Sequence, residues 1–175
     1  HDVMPLLYPK SYPLGIKGKI NFYLQKRALR KCRRIITVSK CSKKDIVQLL
    51  KIKEDKIIVI PEAANKEFKP LSEVKLLTHK RKYNLPDRFL LYVGDANFVK
   101  NLPFLIKGFK LLKEDQDFKD VRLILVGGVF LKKVDDIDHP ELESLKQLNK
   151  LIRDYNLDDS VIRPGQVSEE ELVCF

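Results

Sequence analysis

Short, almost uninterrupted apolar runs separated by helical stretches are the feature of this sequence that most constrains its fold. Four such runs are Ile35–Val38, Ile57–Ile60, Phe89–Val93 and Arg122–Val126. Because they are apolar at consecutive positions and not at alternate ones, they are typical of parallel strands that are covered on both faces. The alternation of strand and helix therefore predicts an α/β fold with parallel sheets.

Helical periodicity fills the spaces between these runs. Residues Leu102 to Lys113 place apolar side chains on one helical face, and Pro103 suits a first helical turn. A second apolar stripe lies between Leu142 and Tyr155. Two helix starts are predicted from a serine followed three residues later by an acidic residue: Ser42 with Asp45, and Ser168 with Glu171.

A proline-containing, lysine-rich stretch interrupts the pattern after Pro61. We predict two α/β units, residues 1–62 and 88–175, and a linker over residues 63–87 with a short helix around Glu73 to Tyr83. The chain begins at His1 and stops inside a predicted helix, so we expect it to be part of a larger protein.

The net charge of +10 is concentrated on the N-terminal side, where one segment reads KGKINFYLQKRALRKCRR. Such a segment can attract phosphates, anionic lipids or nucleic acid, but it is more typical of a solvated helix face. The sequence has no zinc-finger spacing, no RNP-like strand and no clear helix-turn-helix pattern. A membrane surface is therefore favoured over nucleic acid, and no run is long enough to span a membrane.

The segment FLLYVGDANFVKNL combines a strand, a polar loop and a cation at a helix start. Ligands of open parallel sheets bind beyond the carboxyl ends of the strands, which is where Gly94 lies. Asn101 is predicted to cap the following helix, whose first turn attracts anions, and Lys100 precedes that cap. The segment indicates a phosphate site, although a surface lysine fits the same pattern, and neither a P-loop nor a G-x-G-x-x-G loop is present.

Histidine and cysteine do not indicate a metal site. His79 lies in a lysine-rich helix and His139 precedes a proline, and we expect both side chains to be solvated. Because the three cysteines form no C-x-x-C pair, we predict no metal site.

In its order of motifs the chain resembles glycosyltransferase family 4, the retaining nucleotide-sugar transferases of GT-B fold. The segments that carry the resemblance are HDVMPLLYP, RIITVSKCSKKDIVQLL, DKIIVIPEAANKEFKP, FLLYVGDANFVKNLPFLIKGF, VRLILVGG and VIRPGQVSEEEL. The resemblance implies that residues 1–62 are the C-terminal part of a first, acceptor-side Rossmann-like domain. It likewise implies that residues 88–175 are the N-terminal part of a second domain, which binds the nucleotide sugar.

The resemblance also implies roles for individual residues. Lys100, with the Gly94 backbone and Asn101 close by, would stabilise the departing diphosphate without a metal or another cofactor. His1 would face the donor sugar as a catalytic residue, and Asp2 would order its loop. Retention in this family proceeds by attack from the leaving group's face, so a glycosidase-like nucleophilic carboxylate is not required.

Two departures from the family pattern qualify these expectations. Asp95 follows Gly94, whereas many family members carry an arginine soon after that glycine as a second cation. The family's pair of donor-binding glutamates would lie after the last residue of this chain. We therefore predict that the full-length protein is an enzyme and that this chain alone is inactive.

The resemblance implies a nucleotide sugar as donor and a growing saccharide or lipid-linked glycan as acceptor. A likeness to mannosyltransferases favours GDP-mannose over a UDP-sugar. The expected location is the cytoplasm, at the inner face of a membrane, where the basic segment would contact anionic lipid. The alternative is a non-catalytic basic module that binds phosphate backbones, which explains the charge but not the ordered motifs.

Overall fold

The computed structural model of the chain describes residues 3–134 and 137–175. The chain divides into two compact units, His1–Ala64 (unit 1) and Asn65–Phe175 (unit 2). His1 and Asp2, both of which have a predicted role, lie outside the described residues.

Unit 1 contains a pair of parallel strands with helices before and between them. Its elements are α1 (Met4–Leu7), α2 (Ile16–Lys31), β1 (Ile35–Thr37), α3 (Lys40–Leu50), a 3₁₀ helix (Glu54–Lys56) and β2 (Ile57–Val59). The register pairs Ile35 with Ile57 and Ile36 with Ile58. Both strands confirm predicted runs, each one residue shorter at its C-terminal end than the sequence suggested.

The core of unit 1 covers one face of this sheet. Its buried members are Val3, Ile35, Ile46, Leu50, Ile52 and Ile57, and Phe22 and Leu29 of α2 pack against them. On the other face, Ile36 and Ile58 remain 65% and 43% exposed. Within the described residues, side chains of unit 1 cover one face of this sheet, so the predicted cover on both faces is found on one face.

The N-terminus of α3 is capped by Ser39 and not by the predicted Ser42. The Ser42 amide donates to the Ser39 side-chain oxygen at 3.0 Å, so Ser39 is the N-cap. The prediction that Ser42 starts this helix is wrong by three residues. Ser39 has the extended backbone that an N-cap requires, whereas Ser42 is already helical.

Unit 2 is a three-stranded parallel sheet in the order β3-β4-β5. Its helices and strands are α4 (Glu73–Lys82), β3 (Phe89–Val93), α5 (Leu102–Glu114), β4 (Arg122–Val126), α6 (Glu143–Asp154), β5 (Val161–Gly165) and α7 (Glu169–Leu172). Short 3₁₀ helices are Phe98–Lys100, Gln116–Phe118, Gly128–Leu131, Pro140–Leu142 and Asp158–Ser160. The predicted strands at β3 and β4 are confirmed to the residue, and β5 is an additional strand whose register shifts near Pro164.

The central strand β4 is buried on both faces. Leu123 and Leu125 point into a core with α5 and α6, to which Ile106, Phe109, Leu145, Leu148 and Ile152 contribute. Ile124 and Val126 point into a second cluster with Leu85, Tyr83, Leu172 and Phe175. The edge strand β3 differs, because Leu90, Leu91 and Val93 are 40–45% exposed.

The same tripeptide, Tyr-Asn-Leu, ends both α4 and α6. Asn84 and Asn156 have φ of 49° and 52°, in the left-handed region that asparagine tolerates. The amides of the following residues, Leu85 and Leu157, return to the carbonyls of Lys80 and Ile152 at 2.9 Å. These bonds form Schellman motifs, and the two leucines are buried.

Glu171 of α7 joins α4 to the end of unit 2. Its carboxylate accepts hydrogen bonds from Lys82 and, at 2.9 Å, from Tyr83, and it completes the predicted capping box with Ser168. These contacts, that of Lys82 foremost, hold the pKa of Glu171 at about 2, well below its usual range.

His79 is buried, at 6% exposure, between the rings of Tyr83 and Phe175. The prediction of a solvated His79 is therefore wrong, whereas His139 is exposed as expected. Burial lowers the pKa of His79 from its ordinary value. Among the residues that the structure describes, no helix is long and apolar enough to cross a bilayer.

Candidate functional site

A cavity of about 560 Å3 opens at the carboxyl ends of the strands of unit 2. It is lined by Val93, Gly94, Asp95, Val126, Gly127, Gly128, Val129, Lys132, Gln166, Val167 and Leu172. All of these residues lie at or just after the ends of β3, β4 and β5, apart from Leu172 of α7. This is where open parallel sheets bind their ligands.

Gly127 brings two strand ends into close contact. A Cβ atom at this position would lie 2.3 Å from the Gly94 carbonyl oxygen, and the φ of 155° disfavours any other residue. The Gly127 amide donates to the Gly165 carbonyl at 2.9 Å, so the ends of β4 and β5 are tied together. At Gly94, Gly127 and Gly128 the cavity is therefore bordered by main chain, without a side chain to hold a ligand away.

Gly94 lines the same floor but does not offer its amide to a ligand. Its N–H donates to the Val126 carbonyl at 3.0 Å, which extends the ladder between β3 and β4 by one bond. With φ at 144°, the residue is in a conformation that favours glycine. Its contribution to a site is therefore close approach of the backbone, and not hydrogen-bond donation.

The loop after Gly94 is fixed by Tyr92. The Tyr92 hydroxyl donates to the Asp95 carbonyl oxygen at 2.7 Å, and its ring packs edge-on against Phe130. Burial, and secondarily the charge of Asp95, raise the pKa of Tyr92. The Asp95 carboxylate accepts from the Ala96 amide at 3.1 Å, so it is partly satisfied by its own loop although it borders the cavity.

Lys100 and Asn101 lie outside the cavity lining. Lys100 ends the 3₁₀ helix, is exposed, and forms no ion pair among residues 3–134 and 137–175. Asn101 occupies the predicted N-cap position of α5, but its φ of 50° is left-handed and its side chain makes no cap bond. An extended backbone is what an N-cap bond ordinarily needs.

The first turn of α5 offers few amide donors to an anion. Pro103 has no N–H, and the amides of Phe104 and Leu105 donate to the Asn101 carbonyl at 3.0 and 3.4 Å. The sequence-based expectation of an amide cradle is thus weakened. What the helix start retains is its dipole and the free charge of Lys100.

Two polar groups near the site were missed by sequence reasoning. Lys132, which follows the 3₁₀ helix after β4, lines the cavity and supplies a cation there. Asn97, in the loop after Gly94, has a buried Oδ1 without a hydrogen-bond partner among the described residues, although its side chain does not line the cavity. The glycine pair before Lys132 was the available signal, because Val-Gly-Gly after a buried strand marks a ligand-side turn.

The described residues contain no cluster of three His, Cys, Asp or Glu side chains that would hold a metal ion. The cavity instead combines a backbone floor, the Lys132 cation and the Asp95 carboxylate. Bare main chain with a cation beside it suits a phosphorylated ligand such as a nucleotide. The predicted partners on the other domain, His1 and Asp2, lie outside the described residues.

Comparison with known protein families defines the class. Residues 77–175 match the family described as "Glycosyl transferases group 1", and residues 1–68 match that described as "Glycosyltransferase Family 4". The first match spans more than half of the chain. The chain therefore belongs to the group 1 glycosyltransferases, as its motifs predicted.

Two bacterial relatives are mannosyltransferases by name. The serotype-specific mannosyltransferase WbdA of Escherichia coli is 26% identical over 178 residues, which cover 99% of this chain and 20% of that protein. The O-antigen chain mannosyltransferase RfbU of Salmonella typhimurium is 27% identical over 172 residues, covering 98% and 40%. The chain thus spans a fifth to two fifths of the length of these relatives.

Solved structures confirm the fold. A glycosyltransferase from Rickettsia africae has 22% identity and a TM-score of 0.63 over 85% of this chain and 38% of its own. HepE of Anabaena, in complex with UDP and glucose, has 17% identity and a TM-score of 0.63 over 89% and 39%. The predicted α/β class, with parts of two Rossmann-like units of GT-B type, is confirmed.

Proposed function

We propose that the full-length protein transfers a sugar from a nucleotide-sugar donor to a hydroxyl group of a growing saccharide or lipid-linked acceptor, with retention of the anomeric configuration. The observation that carries this proposal is the glycine-floored cavity at the carboxyl ends of β3, β4 and β5, in a member of the group 1 glycosyltransferases. In this proposal unit 2 holds the donor and unit 1 belongs to the acceptor-side domain.

Transfer breaks the bond between the anomeric carbon and the diphosphate oxygen. The nucleoside diphosphate leaves with the bonding electrons, and the acceptor oxygen forms the new bond on the same face. The proton of the acceptor hydroxyl passes to the departing diphosphate oxygen. Negative charge therefore grows on the diphosphate. Lys100 and Lys132 are the cations that we assign to this charge, and the Gly94 and Gly127 backbone lets the phosphates approach.

Lys132 supplies the second cation that the loop after Gly94 lacks. Asp95 stands after Gly94, where the resemblance to the family led us to expect an arginine, and its charge would repel a diphosphate. The hydrogen bond from the Ala96 amide partly satisfies this carboxylate, and Lys132 lines the same cavity. The proposed site therefore has two cations from different loops, with Asp95 in a supporting role and Asn101 at the helix start.

We propose a mannosyl donor, GDP-mannose, because two relatives of this chain are mannosyltransferases by name. A UDP-sugar is the second candidate, because the structural neighbour HepE was solved in complex with UDP and glucose. For the acceptor we propose a glycan of the polysaccharide type, since one relative is named for the O-antigen chain.

The remaining assignments come from the first domain. His1 is proposed to contact the donor sugar, with Asp2 ordering its loop, and neither acts as a covalent nucleophile.

The reaction needs no metal, because cations and the helix dipole take the charge of the leaving group. The proposed location is the cytoplasm, at the inner face of a membrane. The 175-residue chain alone is expected to be inactive.

Calorimetric titration of GDP, UDP and ADP into the full-length protein tests the proposal. One nucleotide should bind best, and Lys100→Ala and Lys132→Ala should each weaken it about tenfold to a hundredfold, as expected for hydrogen bonds to a charged group. Lys107→Ala, an exposed lysine on α5, is the matched control and should leave binding unchanged. Binding that ignores both substitutions would show that these lysines are surface residues and would overturn the assignment.

A further inference from the structure

We propose that α2 is a docking surface for anionic lipid, with an apolar stripe that enters the headgroup region and cations that contact the lipid phosphates. The proposal depends on the proposed function only for its purpose, which is to bring the transferase to a membrane-borne acceptor. The lipid contact itself depends on the exposed residues and the charge of α2.

α2 is apolar on two opposite faces. Phe22 and Leu29 pack against the core of unit 1. Ile20 and Leu24 lie two residues to either side of Phe22, which is about 200° around a helix. These two side chains are more than half exposed, as are Ile16 and Tyr23 on the same side of the helix. The second stripe therefore points away from the core that the first one covers.

Exposed aliphatic and aromatic groups in one row are costly in water and need an explanation. Ile16, Ile20 and Leu24 follow one another at one-turn intervals, and Ile16 is 82% exposed. A helix of 16 residues is about 24 Å long, and its six Lys and Arg residues rule out burial across a bilayer. Such a helix lies in the plane of an interface and not through it.

The charge around α2 is of one sign. Between Val3 and Lys44 the chain has twelve Lys and Arg residues and no Asp or Glu. Arg27 and Lys31 are exposed on the side of the apolar stripe. Among the described residues, none of the cations of α2 forms an ion pair with a carboxylate. The positive charge of this face is therefore open to an external anion.

The exposed apolar stripe and the positive charge of α2 together indicate the kind of partner. A second copy of α2 would bring two strongly positive faces together, which is unfavourable. Nucleic acid would satisfy the cations but would leave the aliphatic row in water, because its backbone is polar and charged. An anionic bilayer is the surface that accepts both groups, with phosphates for the cations and acyl chains for the apolar stripe.

The test is a flotation assay with the full-length protein. Its binding to vesicles of phosphatidylcholine and phosphatidylglycerol in equal parts is compared with its binding to vesicles of phosphatidylcholine alone. The protein should bind the mixed vesicles, and the double variant Arg27→Gln/Lys31→Gln should bind them about thirtyfold more weakly. Each cation near such a surface is worth about 1 kcal/mol, and a tenfold change in affinity is about 1.4 kcal/mol.

The second variant separates insertion from simple charge attraction. Ile20→Ser/Leu24→Ser should reduce binding to the mixed vesicles at least about tenfold. Each CH2 group that enters the membrane contributes about 0.8 kcal/mol to binding, and the serine side chains lack these groups. Both side chains are exposed, so the fold should be retained, as circular dichroism would check. The matched controls Phe104→Ser/Leu111→Ser and Lys107→Gln/Lys150→Gln change exposed residues of unit 2 and should bind like the wild type.

Three results would overturn the proposal: no binding to the mixed vesicles, binding that the serine variant leaves unchanged, or stronger binding to single-stranded RNA than to the vesicles. The second result would mean electrostatic adsorption only, and the third a nucleic-acid surface. Titration of GDP into the same preparation keeps the two proposals apart, because a protein that binds the nucleotide but not the vesicles refutes docking alone.

Discussion

The strands of both units are apolar at consecutive positions, yet among the described strands of the two units β4 of unit 2 is buried on both faces and β1 of unit 1 on one. In unit 2, Ile124 of β4 is fully buried in the cluster that it forms with Leu85 and Val126. In unit 1, Ile36 of β1 is 65% exposed although its neighbour Ile35 is buried. Whether an apolar strand residue is buried depends on which helices the chain supplies to each face, and a strand's own sequence does not contain that information.

The largest expected effect tests this contrast at matched residues. Ile124→Ala should lower the free energy of unfolding of unit 2 by about 2–5 kcal/mol, because a buried cavity is created. Ile36→Ala should change the stability of unit 1 by less than about 0.5 kcal/mol, as at other exposed sites. Urea denaturation followed by circular dichroism measures both, and equal losses would contradict the contrast.

The next effect concerns the glycine floor, which unit 2 alone has among the described residues. Gly127→Ala should destabilise by about 1–3 kcal/mol, because its Cβ meets the Gly94 carbonyl and its φ is unfavourable. Gly108→Ala, in the interior of α5 with no atom within 4 Å of the new Cβ, should stabilise by about 0.5–1 kcal/mol. Thermal unfolding should move in opposite directions for the two variants, and a shift of the same sign would refute this account.

A smaller effect is expected at the helix cap of unit 1. Ser39→Ala removes the acceptor for the Ser42 amide and should cost about 1 kcal/mol. Ser42→Ala keeps that amide and should cost less, since only the weaker hydroxyl contact to Ser39 is lost. Urea denaturation of both variants tests the order, and a reversed order would restore Ser42 as the cap.

The smallest effect is a pH dependence confined to unit 2. The pKa of Glu171, about 2, lies below its ordinary value of 4.5, so the carboxylate stabilises the fold above pH 4.5 and loses this effect as the pH falls towards 2. The effect is small because solvent screens an exposed pair. Glu171→Gln should flatten the stability profile in this window, whereas Glu170→Gln should reproduce the wild-type slope.

The sequence predicted the helices and strands that depend on local pattern. The runs at β3 and β4 were located to the residue, and the capping box of Ser168 with Glu171 formed as expected. β5 escaped prediction because Arg163 and Pro164 interrupt its apolar run. Its pairing with β4 tolerates a proline at the edge of the described sheet, where a missing N–H costs little.

Features that depend on distant contacts could not be predicted. His79 is buried by Phe175, a residue that lies 96 positions further along the chain (175 − 79). Lys132 reaches the cavity only because the loop after β4 opens at the same edge as Gly94. Sequence reasoning located the Gly94 loop, which borders the cavity, but not Lys132, which lines the same cavity. The backbone hydrogen bonds that engage the N–H groups of Gly94 and of the first turn of α5 could not be predicted from the sequence either.

The open side of β3 has a practical consequence for anyone who purifies this chain. Phe-Leu-Leu-Tyr-Val is a five-residue stretch without charge or proline, and its exposed residues lie on a strand paired on one side within the described sheet. Unpaired N–H and C=O groups beside apolar side chains are a template for intermolecular strand pairing. Solubility, more than thermodynamic stability, will therefore limit how concentrated a sample of this chain can be made.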